Sequence, residues 1–264
     1  MEVDHVNKAI VENYRKMRTR MGVMAAIFPV IVVIAGFVWG LGLQPTLSDY
    51  YYASDPVGTR IDPFPVRLWF CGILAIVGFF LCRYSGFSKH EDWWLNTAGI
   101  FVLGVAIFPM VFKDKTDFNP FAWIGLPWLS PHGVSAVLAF VCIAVVIFWY
   151  ADNSLSELKG VDERAYDRYK KIYAGIAIYM ALAIGTSVTL HYLNKKEGSW
   201  ILVAEATGIW AFAAYWFVKN RELEEVRQVL KGEAVKDEKE KGPKGLRPKG
   251  PLGPRSKADI ADAI

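Results

Sequence analysis

The sequence predicts an all-α protein, a polytopic bundle of six transmembrane helices. Three observations carry that reading. Apolar residues make up 53% of the 264-residue chain, which has 10 Trp and a mean hydropathy of +0.24. They fall in long blocks, each close to the roughly 20 residues a helix needs to cross a bilayer. Lys and Arg gather at the two ends and in one segment between blocks, a distribution that sets orientation in a membrane. The net charge of +4 is modest and reads as topology signal, with no nucleic-acid binding implied. Cys71, Cys82 and Cys142 lie in or beside apolar runs without a CxxC pair, so neither a disulfide framework nor a zinc finger follows.

Residues 1–21 alternate apolar and charged positions and read as an amphipathic cytoplasmic helix on the membrane surface, followed by an uncleaved first span. The transmembrane domain covers 22–219. Span one runs from Gly22 to Leu43 with Pro29 as a kink. Span two covers Val66 to Cys82, span three Trp94 to Phe112, and span four His132 to Tyr150. Span five covers Ile172 to Tyr192 and span six Trp200 to Val218. The prolines of the 44–65 loop argue against regular structure there. Trp123 and Trp128 fit an interfacial belt. Residues 220–264 read as a solvated extension of span six, then a basic tail, disordered from Glu233 because it has little apolar surface to bury. Anionic lipid is the partner such basic ends would meet.

The N-terminal segment carries five Lys and Arg, the segment between spans four and five carries five, and the chain from Lys219 onward carries twelve. The other inter-span stretches carry fewer. Six spans with both termini cytoplasmic satisfy the positive-inside rule.

That orientation brings polar residues to one depth. Glu205 sits inside span six, where an ionisable group has a functional default, about 7 to 8 Å below the outer end at 1.5 Å per residue. Gly208, Ala204 and Thr207 flank it and allow close helix approach. His191 closes span five and His132 opens span four on that side, with Ser135 one turn below His132. Ser48, Asp49 and Tyr51 leave span one there, and Arg60 precedes span two. These eight residues form the expected outward-facing pocket for a small ligand, an ion or a lipid headgroup. Histidines at helix ends also commonly bond backbone or headgroups, and the Tyr50 to Tyr52 run reads first as an interfacial anchor.

Two chemistries remain open. Asp49, His132, His191 and Glu205 supply a zinc-type ligand set, although no HxxH or HxxxH pair is present. Ser48, His132 and Asp49 supply the residue types of a nucleophilic triad without its usual strand–turn–helix motif.

The runs Leu47-Ser48-Asp49-Tyr50-Tyr51-Tyr52, Phe108-Pro109 and His132-Gly133-Val134-Ser135-Ala136, with Arg60, Gly86, Glu205, Ala211-Phe212 and Trp216, resemble a group of bacterial multi-span proteins of no assigned activity. The resemblance covers the six spans and implies a multi-pass protein of the bacterial cytoplasmic membrane. More remotely, the Ser, Asp and His inventory is similar to that of ceramidase and progestin-receptor-like membrane hydrolases. That likeness implies an outer-leaflet, zinc-dependent lipid hydrolase as the alternative to binding or transport. Those hydrolases place a closely spaced histidine pair on a late helix, where this chain offers only His191.

Overall fold

A computed structural model describes residues 2–51, 66–108, 120–121, 129–157, 159, 162–193 and 198–241. Six helices form: α1 (Glu2–Val38), α2 (Val66–Arg83), α3 (Lys89–Ile107), α4 (Pro131–Val145), α5 (Glu163–Tyr192) and α6 (Trp200–Lys241). A π-helical turn, Val146–Tyr150, prolongs α4, and 3-10 turns lie at Ser48–Tyr51 and Asn153–Glu157. The architecture is all-α, with no strand among the described residues.

Local sequence explains several helix starts. Ser88, Ser130 and Asp162 are N-caps, their side chains accepting from the backbone N–H groups of Glu91, Gly133 and Ala165. Each satisfies one of the amides that a helix start leaves without a partner. Pro131 then takes the first position of α4, where its missing N–H costs nothing. Pro29 sits inside α1 and deprives the Ala25 carbonyl of its usual donor. The indole of Trp210 donates to the adjacent carbonyl, Ala26 O, at 3.0 Å.

The helices pack as a closed ring in chain order, α1 against α2 and so on to α6, which returns to α1. Buried apolar side chains from all six fill the interior, among them Phe28, Val32, Phe70, Leu81, Leu95, Ile143, Met180, Phe212 and Trp216. The outer faces are apolar as well: Ile34, Leu68, Phe79, Ile100 and Leu182 are all more than half exposed. A helix apolar on both its inner and outer faces suits a hydrocarbon surround.

Among the described residues five helical stretches are long and apolar enough to cross a bilayer: those of α1, α2, α5 and α6, and α4 continued through its π-helical turn to Ser156. The first turn of α3 carries Lys89, Glu91 and Asp92, and the helix ends at Ile107. Its apolar part is thus shorter than the roughly 20 residues a perpendicular span needs.

Two expectations change. α1 runs unbroken through Gly22, so the amphipathic segment and the first apolar run are one helix. It packs on the far end of α6, where the Arg18 Nε donates to Asn220 Oδ1 at 2.7 Å and the Asn220 amide to Thr19 Oγ1 at 2.9 Å. The α6 extension is a helix as expected, with Arg221, Glu224, Gln228 and Lys231 exposed, but its other face is not solvated. Lys219, Glu222, Leu223 and Val226 are buried, and Arg168 grips Glu225 with bonds of 2.7 and 2.8 Å. The helix continues past Glu233 to Lys241. Pro109, Trp123 and Trp128 lie outside the described residues.

Small residues set the closest helix approach. A Cβ on Gly99 would stand 2.7 Å from the Gly78 carbonyl oxygen and 2.5 Å from Cys82 Sγ. Gly99→Ala should therefore lower stability by about 1–3 kcal/mol, the usual range for overpacking. Gly72→Ala, with nothing within 4 Å of its added methyl, should cost nothing. Thermal unfolding of both variants in one detergent checks the contrast.

Candidate functional site

Residues 44–51, beyond α1, fold back over the end of the bundle at which α6 begins. Leu202 N donates to Pro45 O at 2.9 Å, and Leu47 N donates to Glu205 Oε2 at 2.7 Å. Thr46 and Asp49 bond reciprocally, Thr46 N to Asp49 Oδ2 at 3.2 Å and Asp49 N to Thr46 Oγ1 at 2.9 Å. Tyr50 is fully buried and stands on Gly36, where a Cβ would collide with its ring. These contacts fix the 3-10 turn that carries Ser48.

Ser48 then meets His132. The imidazole Nε2 lies 3.0 Å from Ser48 Oγ, and Nδ1 lies 2.9 Å from Phe108 O. A carbonyl can only accept, so Nδ1 carries the proton. In the neutral ring, Nε2 is then the acceptor for the Ser48 hydroxyl. His132 is 3% exposed, and Phe70 stacks on its ring at 6.3 Å.

A cavity of about 110 Å³ opens inside the ring, lined by Ser48 and Glu205 together with apolar side chains. The two polar residues stand at the end where α4 and α6 begin. The apolar lining continues inward along α4 through Ala136, Ala139, Phe140 and Ile143, and along α6 through Ile209 and Phe212. From Glu205 to Phe212 the helix rises about 10 Å.

The other expected residues separate from this pair. Asp49 is turned back into its own loop, as above. Tyr51 packs edge-on to Phe70 at 6.2 Å, with Arg67 5.4 Å over its ring. Ser135 is buried against Gly104, where a Cβ would stand 2.7 Å from its hydroxyl oxygen. His191 is exposed in the last turn of α5 and does not line the cavity. Arg60 lies outside the described residues. Glu205 accepts from a backbone amide, and among the described residues, which leave out Arg60, it forms no ion pair.

The zinc-type set Asp49, His132, His191 and Glu205 is not gathered either. Among the described residues no group of three His, Cys, Asp or Glu side chains could hold a metal ion, and both nitrogens of His132 are engaged. The Ser48–His132–Asp49 triad is present only as its first two members, because a backbone carbonyl occupies the place beside Nδ1.

A second polar cluster, absent from the sequence expectation, lies at the opposite end. Lys219 Nζ donates to Ala151 O and Ser154 Oγ, both at 2.6 Å, and pairs with Glu222 at 3.2 Å. It also faces the rings of Phe87 and Tyr173 at 5.3 and 5.4 Å. Glu222 accepts from Ser154 and Tyr173 as well. Nearby, Glu91 accepts from Phe87 N at 2.9 Å. Burial pushes its carboxyl above the ordinary range, against the attraction of Lys219 and the Phe87 bond. The signal was present in the sequence: Phe212, Tyr215, Trp216, Lys219, Glu222, Leu223 and Val226 recur at helical spacing and form one buried face.

No protein-family model, curated protein or solved structure matches the chain.

The Glu205 clamp has a direct test. Glu205→Ala leaves the buried Leu47 N–H without an acceptor and should cost about 1–3 kcal/mol. Glu205→Gln keeps a carbonyl oxygen there and should retain most of that. Melting temperatures in detergent report the difference.

Proposed function

We propose that this is a six-span protein of the bacterial cytoplasmic membrane that binds a lipid-like amphiphile. Its cavity takes a segment of the apolar chain, and Ser48 and Glu205 meet the polar end. The observation that carries this reading is the lining: two polar residues at one end, apolar side chains everywhere else. An ion or proton site would need polar groups along the lining, since a charge in an apolar wall has nothing to offset its desolvation. A cavity near 110 Å³ is comparable to a dry apolar site that accepts a small hydrocarbon of benzene's size. It therefore suits a segment of a chain rather than a whole lipid.

The Lys and Arg counts support cytoplasmic termini. α3 is the sixth crossing by parity, since it joins α2 to α4 with both neighbours packed along it. A periplasm-active reporter fused after Lys241 should be silent, whereas one inserted after Gly198 should be active. The reverse pattern overturns the orientation.

A fatty acid carrying a photoactivatable diazirine on its chain, added to protein in nanodiscs, tests the binding itself. Cross-links are expected at Ile143, Ile209 or Phe212. Ala139→Phe, which adds a ring to the lining, should reduce them at least about tenfold, equivalent to a loss of about 1.4 kcal/mol in affinity. Cross-links confined to outward-facing residues such as Ile178 and Leu182, both more than half exposed, would refute the pocket.

A further inference from the structure

The geometry points to Ser48 as a nucleophile that takes an acyl group from a fatty-acyl ester bound in the cavity, with His132 as its base. This inference rests on the amphiphile reading and adds chemistry to it. Ser48 lines the cavity, whereas His132 is not part of the lining. A ligand therefore meets the hydroxyl, with the imidazole behind it at 3.0 Å. The Phe108 carbonyl at 2.9 Å holds the proton on Nδ1, which leaves the lone pair on Nε2 directed at the hydroxyl. Nucleophile, base and a third group that orients the base are the parts that activate a serine. The orienting group is here a neutral carbonyl in place of a carboxylate.

The substrate class follows from the surroundings. The walls beyond Ser48 are Ala136, Ala139, Phe140 and Ile143 on one side and Ile209 and Phe212 on another. An acyl chain laid along them brings its ester carbonyl to the polar end. There Ser48 Oγ attacks the carbonyl carbon while its proton passes to His132 Nε2. The ester C–O bond breaks, and the imidazolium returns that proton to the departing alkoxide. The product is an acyl-Ser48 ester and a free alcohol. A water molecule, deprotonated by the same nitrogen, then attacks the acyl carbon, and Ser48 Oγ leaves with the proton. The net reaction is ester plus water to fatty acid plus alcohol. Glu205 lines the same end, held there by the Leu47 amide.

A fluorophosphonate with an alkyl tail reports on Ser48 without a known substrate. Incubated with the full-length protein in nanodiscs, it should form one adduct, located on Ser48 by peptide mass spectrometry and blocked by excess fatty acid. Ser48→Ala should abolish the adduct. His132→Asn keeps an N–H donor for the Phe108 carbonyl but lacks the base, and should slow labelling at least about a hundredfold. Diazirine cross-linking on the same samples separates the two claims. Cross-links in the cavity without an adduct on Ser48, or with labelling unchanged in His132→Asn, overturn the nucleophile and leave the binding reading standing. An adduct on Ser48 without cavity cross-links keeps Ser48 as a nucleophile but overturns the binding reading and, with it, the fatty-acyl ester as substrate. A variant that no longer cross-links at wild-type positions has lost its fold; Ser48→Thr, which keeps a hydroxyl beside His132, then replaces it and should label, more slowly than wild type. Absence of label on both wild type and Ser48→Thr overturns the proposal.

Discussion

The arrangement at the end of the bundle where α6 begins depends on one carboxylate accepting one backbone amide. Glu205 has no cation beside it among the described residues, and its bond to Leu47 N at 2.7 Å ties α6 to the chain between α1 and α2. A hydrogen bond to a charged acceptor is worth more than a neutral one, and more again where water is excluded. Without that anchor the turn would keep its internal Thr46–Asp49 bonds, and would be held to the bundle by Leu202 N to Pro45 O, by Ser48 on His132 and by Tyr50 against Gly36. Ser48 is the next residue after the anchored amide, so its distance to His132 inherits whatever freedom the anchor removes. The polar end of the cavity is in this sense a property of the turn, and the turn is a property of α6.

Much of this was legible in the sequence. Apolar block length marked the helices because a helix that must satisfy its own backbone in hydrocarbon has few alternatives. Glu205 stood out because a carboxylate among apolar neighbours is costly. The meeting of Ser48 with His132 was legible as shared depth, since one follows α1 and the other opens α4 at the same end of the bundle. Shared depth does not fix azimuth, however. His191 lies at the same depth yet is exposed, and Ser135 faces α3. Which way a side chain points around its helix depends on neighbours that sequence order alone does not name.

Beyond Val218 the expected helix forms, but its buried face escaped the sequence reading for a related reason. Charges after an apolar block read as solvent contact, but Lys219 and Glu222 lie three residues apart on the buried face and neutralise each other. Ser154, Tyr173 and the Ala151 carbonyl satisfy most of their remaining polar capacity. A buried pair of this kind is tolerated only with such additional bonds, and it need not add net stability over an apolar replacement. Its effect is on uniqueness: with Lys219 reaching both Ala151 and Ser154, α6 is held in one rotation relative to the turn after α4. That same rotation presents Glu205, Ile209 and Phe212 to the cavity, at the other end of the helix.

The closed ring also imposes an order of events during synthesis. Arg18 on the first helix bonds Asn220 on the last, 202 residues later. At ribosomal speeds of roughly 5–20 residues per second, about 10 to 40 seconds separate the emergence of the two. Through that interval α1 has α2 on one flank and no protein on the other, with Arg18 facing a gap that only α6 can fill. Until α6 has emerged, Pro45 and Leu47 have no partner on it and the ring cannot close. A chain stalled before residue 200 would leave this seam unclosed, in the state most exposed to capture by quality-control proteases or by a neighbouring copy.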